Sequence, residues 1–382
     1  MSERVRGGFP DIASAGTEQT YMAQNDKDYA IIVGIQSYPD FDTDGALEGP
    51  ENDALAFRDW VISPTGGNVP DDKEHVTLII SADYKPPAAT PDDARPMIMD
   101  VQGAFERLQN KAEENANNDQ GLQVGRRLYI YMAGHGFAPR EDQTALLMAN
   151  AKRNRTGAVY HILGQYTADW FFKAKYFEEV ILLMDCCREL YPVMGLNMSF
   201  NPSLAPGAVD KVKRFYGYAT KWSRLSREKN IDGVRRGIFT ATLMKALEGG
   251  AVDPDTGELT AQSLSDYLYT NMESLLDEAE KKRNDIQKEP EIDYYPKKGK
   301  GFVLMTVTPP TFRVTIRVPP AAVGKTAQIL DGINLAPVET ANAVTDPWVV
   351  DLKRGKYLAL VLDAGLKKVI EVGGTGDVNE SL

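Results

Sequence analysis

The sequence predicts an α/β domain, built on a mostly parallel sheet covered by helices on both faces, followed by a small all-β domain. Three observations carry this. Apolar runs bounded by turn residues recur up to about Gly301. Segments with helical spacing lie between those runs. After Gly301 the helical periods stop, and short strand-like runs separated by Pro, Gly and Asn take over.

Residues 1–27 are polar and Gly-containing, which predicts a flexible leader; "MSERVRGGFPDIASAGTEQT" has no apolar core of the kind a secretory signal needs. Six runs then suit strands: "YAIIVGI" (29–35), "HVTLII" (75–80), "RLYIYMAG" (127–134), "ALLMANA" (145–151), "VILLMD" (180–185) and "VKRFYGYAT" (212–220). Several are continuous rather than alternating, as in strands buried on both faces. The helices expected between them are 51–62, which starts at Pro50 and puts Leu55, Trp60 and Val61 near one face, then 97–116 with Val101, Phe105 and Leu108, then 166–176 and 238–250. The longest is 260–284. "EPEIDYYPKKGKG" (289–301) reads as a connection, and "FVLMTV", "FRVTIRV", "TAQILDG", "PWVVDL" and "KYLALVL" as strands of a small sandwich-like domain. The expected division is a leader over 1–27, a first domain over 28–305 and a β domain over 306–382.

With 43% hydrophobic and 25% charged residues, the composition is that of a soluble globular chain. Its net charge of −11 argues against nucleic acid as a partner, because phosphate neutralisation needs the opposite balance. No apolar run is long enough to span a membrane, so no membrane partner is expected. Two adjacent cysteines, Cys186 and Cys187, do not make a disulfide framework; they fit a reducing, cytoplasmic setting. Three histidines and no Cys-x-x-Cys make a metal site improbable, so none is assigned.

In an open α/β sheet, functional side chains collect beyond the carboxyl ends of the strands. Two strand ends carry reactive groups here. "YIYMAGHGF" delivers His135 between Gly134 and Gly136, and "VILLMDCC" delivers Asp185, Cys186 and Cys187. If the strands are neighbours, an imidazole and a thiol share one crevice, where a thiolate can attack a carbonyl. Glycines beside His135 allow close backbone approach and leave N–H groups for a developing oxyanion. Against this stands the tendency of cysteine to be core, which leaves both thiols open as candidates. His75, before a strand, and His161, in a loop, lack such a setting and read as structural.

Spacing adds to this. A caspase-type signature pairs a Cys-Arg element with a histidine about 50 residues upstream. In "DCCRE", Cys187 follows His135 by 52 positions (187 − 135), and Arg188 follows the cysteine. With "AIIVGI", "LEGPENDA" (47–54), "YATKWS" (218–223), "GIFTATLMKAL" (237–247) and "KEPEIDY" (288–294) in this order, the chain resembles the caspase superfamily, especially its prokaryotic and metacaspase-like branch, over roughly 28–305. The resemblance implies a caspase-like six-stranded sheet and a cysteine endopeptidase working through a Cys-His dyad. It implies Cys187 as nucleophile, the third residue of an Asp-x-Cys triplet, with His135 as its partner and the N–H groups of Gly136 and Cys187 as oxyanion donors. Strand alternation agrees that only one of the two cysteines can face His135.

Metacaspase-like members cleave after arginine or lysine and line the pocket with two acids, whose counterparts here are Asp53 and Asp185. Two carboxylates in one recess suit a guanidinium and repel an aspartate. The plainer alternative is that Asp53 caps a helix and Asp185 accepts local N–H bonds. The motif departs from the family where it continues Arg188-Glu189-Leu190 and where Pro50 follows the glycine. Residues 190–211 and 221–237 are expected as exposed loops, the second offering Arg224, Arg227, Arg235 and Arg236 as processing sites. The partners expected are protein substrates with basic cleavage sites and an activating protein or protease, in a stress, defence or cell-death pathway. No cofactor is assigned; calcium dependence is left open, since no carboxylate loop of EF-hand spacing occurs. The alternative function is a catalytically silent caspase-like regulatory or binding protein. A nucleotide-binding domain ranks below both, because the phosphate-binding glycine motifs are absent.

Overall fold

The computed structural model describes residues 24–41, 46–85, 87–140, 143–153, 160–190, 212–220, 227–254, 256–284, 288–307, 311–373 and 377–382. In chain order the elements begin with β1 (Asp28–Gly34), α1 (Pro50–Ile62), β2 (Val76–Ile80), α2 (Ile98–Asn117), β3 (Gly125–Gly134), β4 (Gly136–Arg140), β5 (Gln143–Leu147) and β6 (His161–Leu163). Then come α3 (Gly164–Ala174), β7 (Phe177–Cys186), β8 (Glu189–Leu190), β9 (Lys213–Tyr218), β10 (Glu228–Ile231), β11 (Val234–Gly237) and α4 (Ile238–Lys245). β12 (Glu258–Thr260), α5 (Ala261–Asn271), α6 (Glu278–Lys281), β13 (Glu291–Tyr295) and β14 (Val303–Thr306) complete the α/β part. Apart from a 3-10 turn at Leu362–Ala364, the elements of the remainder are strands: β15 (Thr311–Arg317), β16 (Ala327–Asp331), β17 (Pro337–Ala341), β18 (Trp348–Lys353), β19 (Gly355–Val361), β20 (Leu366–Val372) and β21 (Val378–Ser381).

The main sheet has six strands in the order β2-β1-β3-β7-β9-β13. All are parallel except β13, which runs antiparallel to β9 at the edge. Its strands read as continuous apolar runs because both faces are covered. Ile31, Val33, Ile130, Met132, Leu182 and Met184 face a cluster built with α2 and α3. The alternating residues Ile32, Tyr129, Tyr131, Ile181 and Leu183 face a second cluster with α1, α4 and α5. Each such side chain removed from water contributes about 1.5–3 kcal/mol. This mostly parallel six-stranded sheet with helices on both faces is the α/β architecture that the sequence predicts. The C-terminal strands form two sheets, β18-β15-β21 and β17-β16-β19-β20, around a third apolar cluster that includes Val314, Ile329, Trp348 and Tyr357. No helix among the described residues is long and apolar enough to cross a membrane.

Several expectations are corrected. Residues 260–284 are not one helix. α5 is capped by Thr260, whose Oγ1 accepts from Ser263 N at 3.1 Å, and it stops at Asn271. Buried Met272 and Leu276 hold the turn that follows, and Asp277 caps a new short helix by accepting from the N–H groups of Ala279 and Glu280. On α1 the inward residues are Ala54, Phe57, Trp60 and Val61, whereas Leu55 is 39% exposed. The run 145–151 leaves its strand after Leu147 and stays apolar because Met148, Ala149 and Ala151 are buried turn and loop residues. His161 sits in β6 rather than in a loop, buried edge-on against Phe137.

The described part of 221–237 is not an irregular loop either. β10 and β11 form a hairpin whose tip, Asp232-Gly233, has positive φ at both residues, 53° and 84°. Arg224 and the expected loop 190–211 lie outside the described residues, apart from Glu189–Leu190 in β8, as do residues 1–23 of the expected leader.

Candidate active site

The main sheet brings His135 and Cys187 together by register. β3 and β7 are adjacent and parallel, and the last pair of their ladder is Gly134 opposite Cys186. Beyond the sheet the same two chain segments pair again, as β4 and β8, with Phe137 opposite Glu189. The offset is 52 residues before the gap (186 − 134) and 52 after it (189 − 137). His135 and Cys187 differ by the same 52, so they leave neighbouring strands at one level. Paired strands lie about 4.8 Å apart, which sets the scale of the crevice.

The two cysteines differ sharply. Cys186 is 2% exposed and belongs to the cluster under α2 and α3. Burial pushes its thiol well above the ordinary range, so it stays protonated. It lies under Gly136: a side chain there would put its Cβ 2.7 Å from the Cys186 sulfur. Cys187 is half-buried. The glycine before His135 is needed as well, since Gly134 has φ 151° and a side chain on it would overlap the Tyr38 hydroxyl.

His135 is half-buried between aromatic rings, with Tyr38 at 4.8 Å and Phe41 at 5.5 Å between centroids. Its Nε2 has no hydrogen-bond partner among the described residues. Burial first, and the charge of Arg153 second, hold its pKa down to about 4. The imidazole is therefore neutral at pH 7 and able to accept a proton.

The acidic pair also comes together, at the start of α4. Asp185 Oδ2 accepts from Thr240 N at 3.0 Å and Thr240 Oγ1 at 2.7 Å, which caps α4 from the neighbouring strand. Asp53 Oδ2 accepts from Gly237 N at 2.7 Å. Asp53 is 2% exposed, and burial together with the Asp185 charge raises its pKa to about 8. Its other oxygen, Oδ1, makes no hydrogen bond and faces the Arg236 guanidinium at 3.7 Å. Gly237 gives the Asp185 carboxylate its room, because a Cβ there would overlap it unless that side chain shifted.

Sequence reasoning missed the parts that hold these acids. The β10–β11 hairpin docks on the start of α1: Glu228 accepts from Glu48 N at 3.1 Å and Gly49 N at 3.2 Å, and Asn52 donates to Arg235 O at 3.0 Å. Arg236, expected as a processing site, has its guanidinium 3.7 Å from Asp53 Oδ1. Asp-Gly between two short strand-like stretches is the signal that could have revealed the hairpin. In sequence Arg188 stands out only as the residue after Cys187. It is 1% exposed and reaches Glu291 on β13 at 2.6 Å, with its guanidinium 5.0 Å from the Tyr218 ring. His75 is tied to Asp72 at 2.8 Å and to Asp26 O at 3.0 Å. Among the described residues no group of three or more His, Cys, Asp or Glu is placed to hold a metal ion.

No protein-family model matches this chain. Over 230 residues it is 26% identical to a probable protease of a Desulfuromonadales bacterium. That match takes in 58% of this chain but 26% of the relative, so the chain spans about a quarter of that protein's length. Among solved structures it is similar to caspase-1 from Spodoptera frugiperda, at 14% identity and a TM-score of 0.41, over 71% of this chain and 89% of the other.

Proposed function

We propose that this chain is a caspase-like cysteine endopeptidase that cleaves proteins after arginine or lysine, with Cys187 as nucleophile and His135 as its base. The observation that carries the reading is the common 52-residue offset on both sides of the site, which sets the two residues opposite each other. His135, neutral at pH 7, takes the Cys187 proton as the sulfur attacks the scissile carbonyl carbon. The oxyanion that forms accepts from the N–H groups of Gly136 and Cys187. The C–N bond then breaks, and the imidazolium returns its proton to the leaving amine. Water, deprotonated by the same imidazole, hydrolyses the thioester. The fit of Gly136 over the Cys186 thiol holds that strand start close to β7.

Asp53 and Asp185 supply the specificity in this reading. A basic side chain that reached the two acids would compete with Arg236 for Asp53 Oδ1, an acceptor with no hydrogen bond of its own, beside a second carboxylate. A specific observation also favours the plainer role, because each acid already accepts main-chain N–H bonds at the start of α4. Asp53→Asn and Asp185→Asn separate the two. Loss of Arg-peptide cleavage without loss of thermal stability supports binding; loss of stability with unchanged preference supports a strut.

Regulation is part of the proposal. Arg235 and Arg236 lie in a paired strand, so processing there requires the hairpin to open first. Arg227, whose carbonyl accepts from Ile238 N at 2.9 Å, stands just before it. Protein substrates with basic sites, an activator and a cytoplasmic setting in stress, defence or cell death complete the reading. The first experiment is a fluorogenic panel with Arg, Lys, Asp and Leu before the scissile bond. Cleavage after Arg that survives Cys186→Ala and vanishes in Cys187→Ala is expected. Survival in Cys187→Ala would reject the assigned nucleophile, and no cleavage by any form would favour a silent regulator.

A further inference from the structure

The segment after β1, "IQSYPDF", crosses the top of the sheet and places Tyr38 and Phe41 against His135. Tyr38 is fully buried. Its hydroxyl accepts from His135 N at 3.1 Å and donates to Leu147 O at 3.1 Å, while Leu147 N donates to His135 O at 2.8 Å. These three bonds close a ring that holds the His135 main chain on both its N–H and its carbonyl side. The side chain is held by different means. The Tyr38 ring meets the imidazole at 64° and the Phe41 ring meets it at 35°. The two rings pack on each other at 6.2 Å, and the Arg153 guanidinium lies 4.9 Å from the Phe41 ring. The Arg153 main chain is tied down, its main-chain N–H donating to Asp40 Oδ2 at 2.6 Å.

A catalytic imidazole is commonly aimed by an acceptor hydrogen-bonded to its second nitrogen. At His135 the observed constraint is instead a main-chain clasp plus two aromatic walls. Walls restrict rotation about both side-chain torsions, and edge-to-face contacts favour particular interplanar angles. They also exclude water from the ring, in keeping with its lowered basicity.

We propose that Tyr38 and Phe41 are the positioning residues of His135, the hydroxyl fixing its main chain and the two rings fixing the plane of its imidazole for proton transfer with Cys187. This rests on the reading of His135 as the base. Neither residue touches the substrate in this account, so both act on the rate of the chemical step rather than on binding. Misplacement of a reacting group by about 1 Å can cost on the order of a hundredfold in rate.

The test uses the whole chain and two readouts. The first is kcat and KM for an arginyl peptide. The second needs no peptidase activity: the rate of Cys187 alkylation by iodoacetamide from pH 4 to pH 10, with His135→Ala as reference for an uncoupled thiol. The variants are Tyr38→Phe, Phe41→Leu and Phe41→Tyr, each with a thermal melt. Expected are at least a tenfold fall in kcat for Tyr38→Phe and Phe41→Leu and KM within about twofold. Their alkylation profiles should move toward that of His135→Ala, with recovery in Phe41→Tyr. Variants that melt earlier but keep the wild-type alkylation profile would make both residues merely structural and overturn the proposal. If the unmodified chain cuts no peptide, the endopeptidase reading fails, and the alkylation profiles alone still decide the positioning role. If Tyr38→Phe does not fold, Phe41→Leu and its rescue by Phe41→Tyr carry the decision.

Discussion

Asp53 combines a fully buried carboxylate, a second carboxylate nearby and one oxygen without a hydrogen bond, so its ionisation is costly until a cation arrives. Its folded pKa of about 8 lies above the ordinary 3.8. Between those values the folded state holds a proton that the unfolded chain has released, so this contribution to stability is present below about pH 4 and lost as pH rises through 8. Urea unfolding from pH 6.5 to 8.5 should show declining stability, and Asp53→Asn should remove most of that slope. His135 has the opposite sign: with a folded pKa near 4, its contribution is present above 6.5 and lost as pH falls. Its window ends where the Asp53 test begins. A non-covalent arginine analogue should bind more tightly as pH rises toward 8, by up to about tenfold per unit, and not in Asp53→Asn. Arg236→Gln removes the internal cation that competes for Oδ1 and should tighten that analogue. At this scale the adjacency of His135 and Cys187 was legible because glycines and an apolar strand framed them. Tyr38 and Phe41 were not, because an aromatic in a loop carries no periodic signal and its contact is set by a strand far along the chain.

The hairpin, α1 and α4 form one unit around the acids. Gly237→Ala would drive a methyl into the Asp185 carboxylate, and overpacking of that kind costs about 1–3 kcal/mol. A lowered melting temperature with weakened Arg preference is expected; an unchanged melt and preference would show that the junction yields freely. Glu291→Gln leaves the buried Arg188 guanidinium facing a neutral amide. Because Glu291 is 44% exposed, the loss should be modest, about 1 kcal/mol by denaturant unfolding. The central strands could be read from sequence because burial on both faces made them uniformly apolar. β17 could not, since most of its residues are exposed at a sheet edge, and β20 sets Lys367 beside Lys368 and Val369 beside Ile370, which breaks the two-residue alternation of a strand. The break at Asn271 escaped notice because helical spacing persists through a turn whose apolar residues are buried.

Across the whole molecule, one mostly parallel sheet brings two distant segments, the ends of β3 and β7, to one level. The 52-residue spacing noted between His135 and Cys187 in sequence is the register offset of β3 against β7 and of β4 against β8. The sheet and its helical cover were therefore legible, as was the pairing of the strands that end just before His135 and Cys187. What docks on the acids was not, because the hairpin reaches α1 from about 180 residues away, as in the Glu228 contact with Glu48. The central claim is that Cys187, served by His135, reacts with the main-chain carbonyl of a basic residue. The most direct measurement is covalent capture with a short peptide ending in an arginyl chloromethyl ketone, read by peptide mass mapping. The account predicts one adduct, on Cys187, formed more slowly in His135→Ala and Asp53→Asn, and far more slowly with the aspartyl analogue. An adduct on Cys186, or faster capture by the aspartyl reagent, would contradict it.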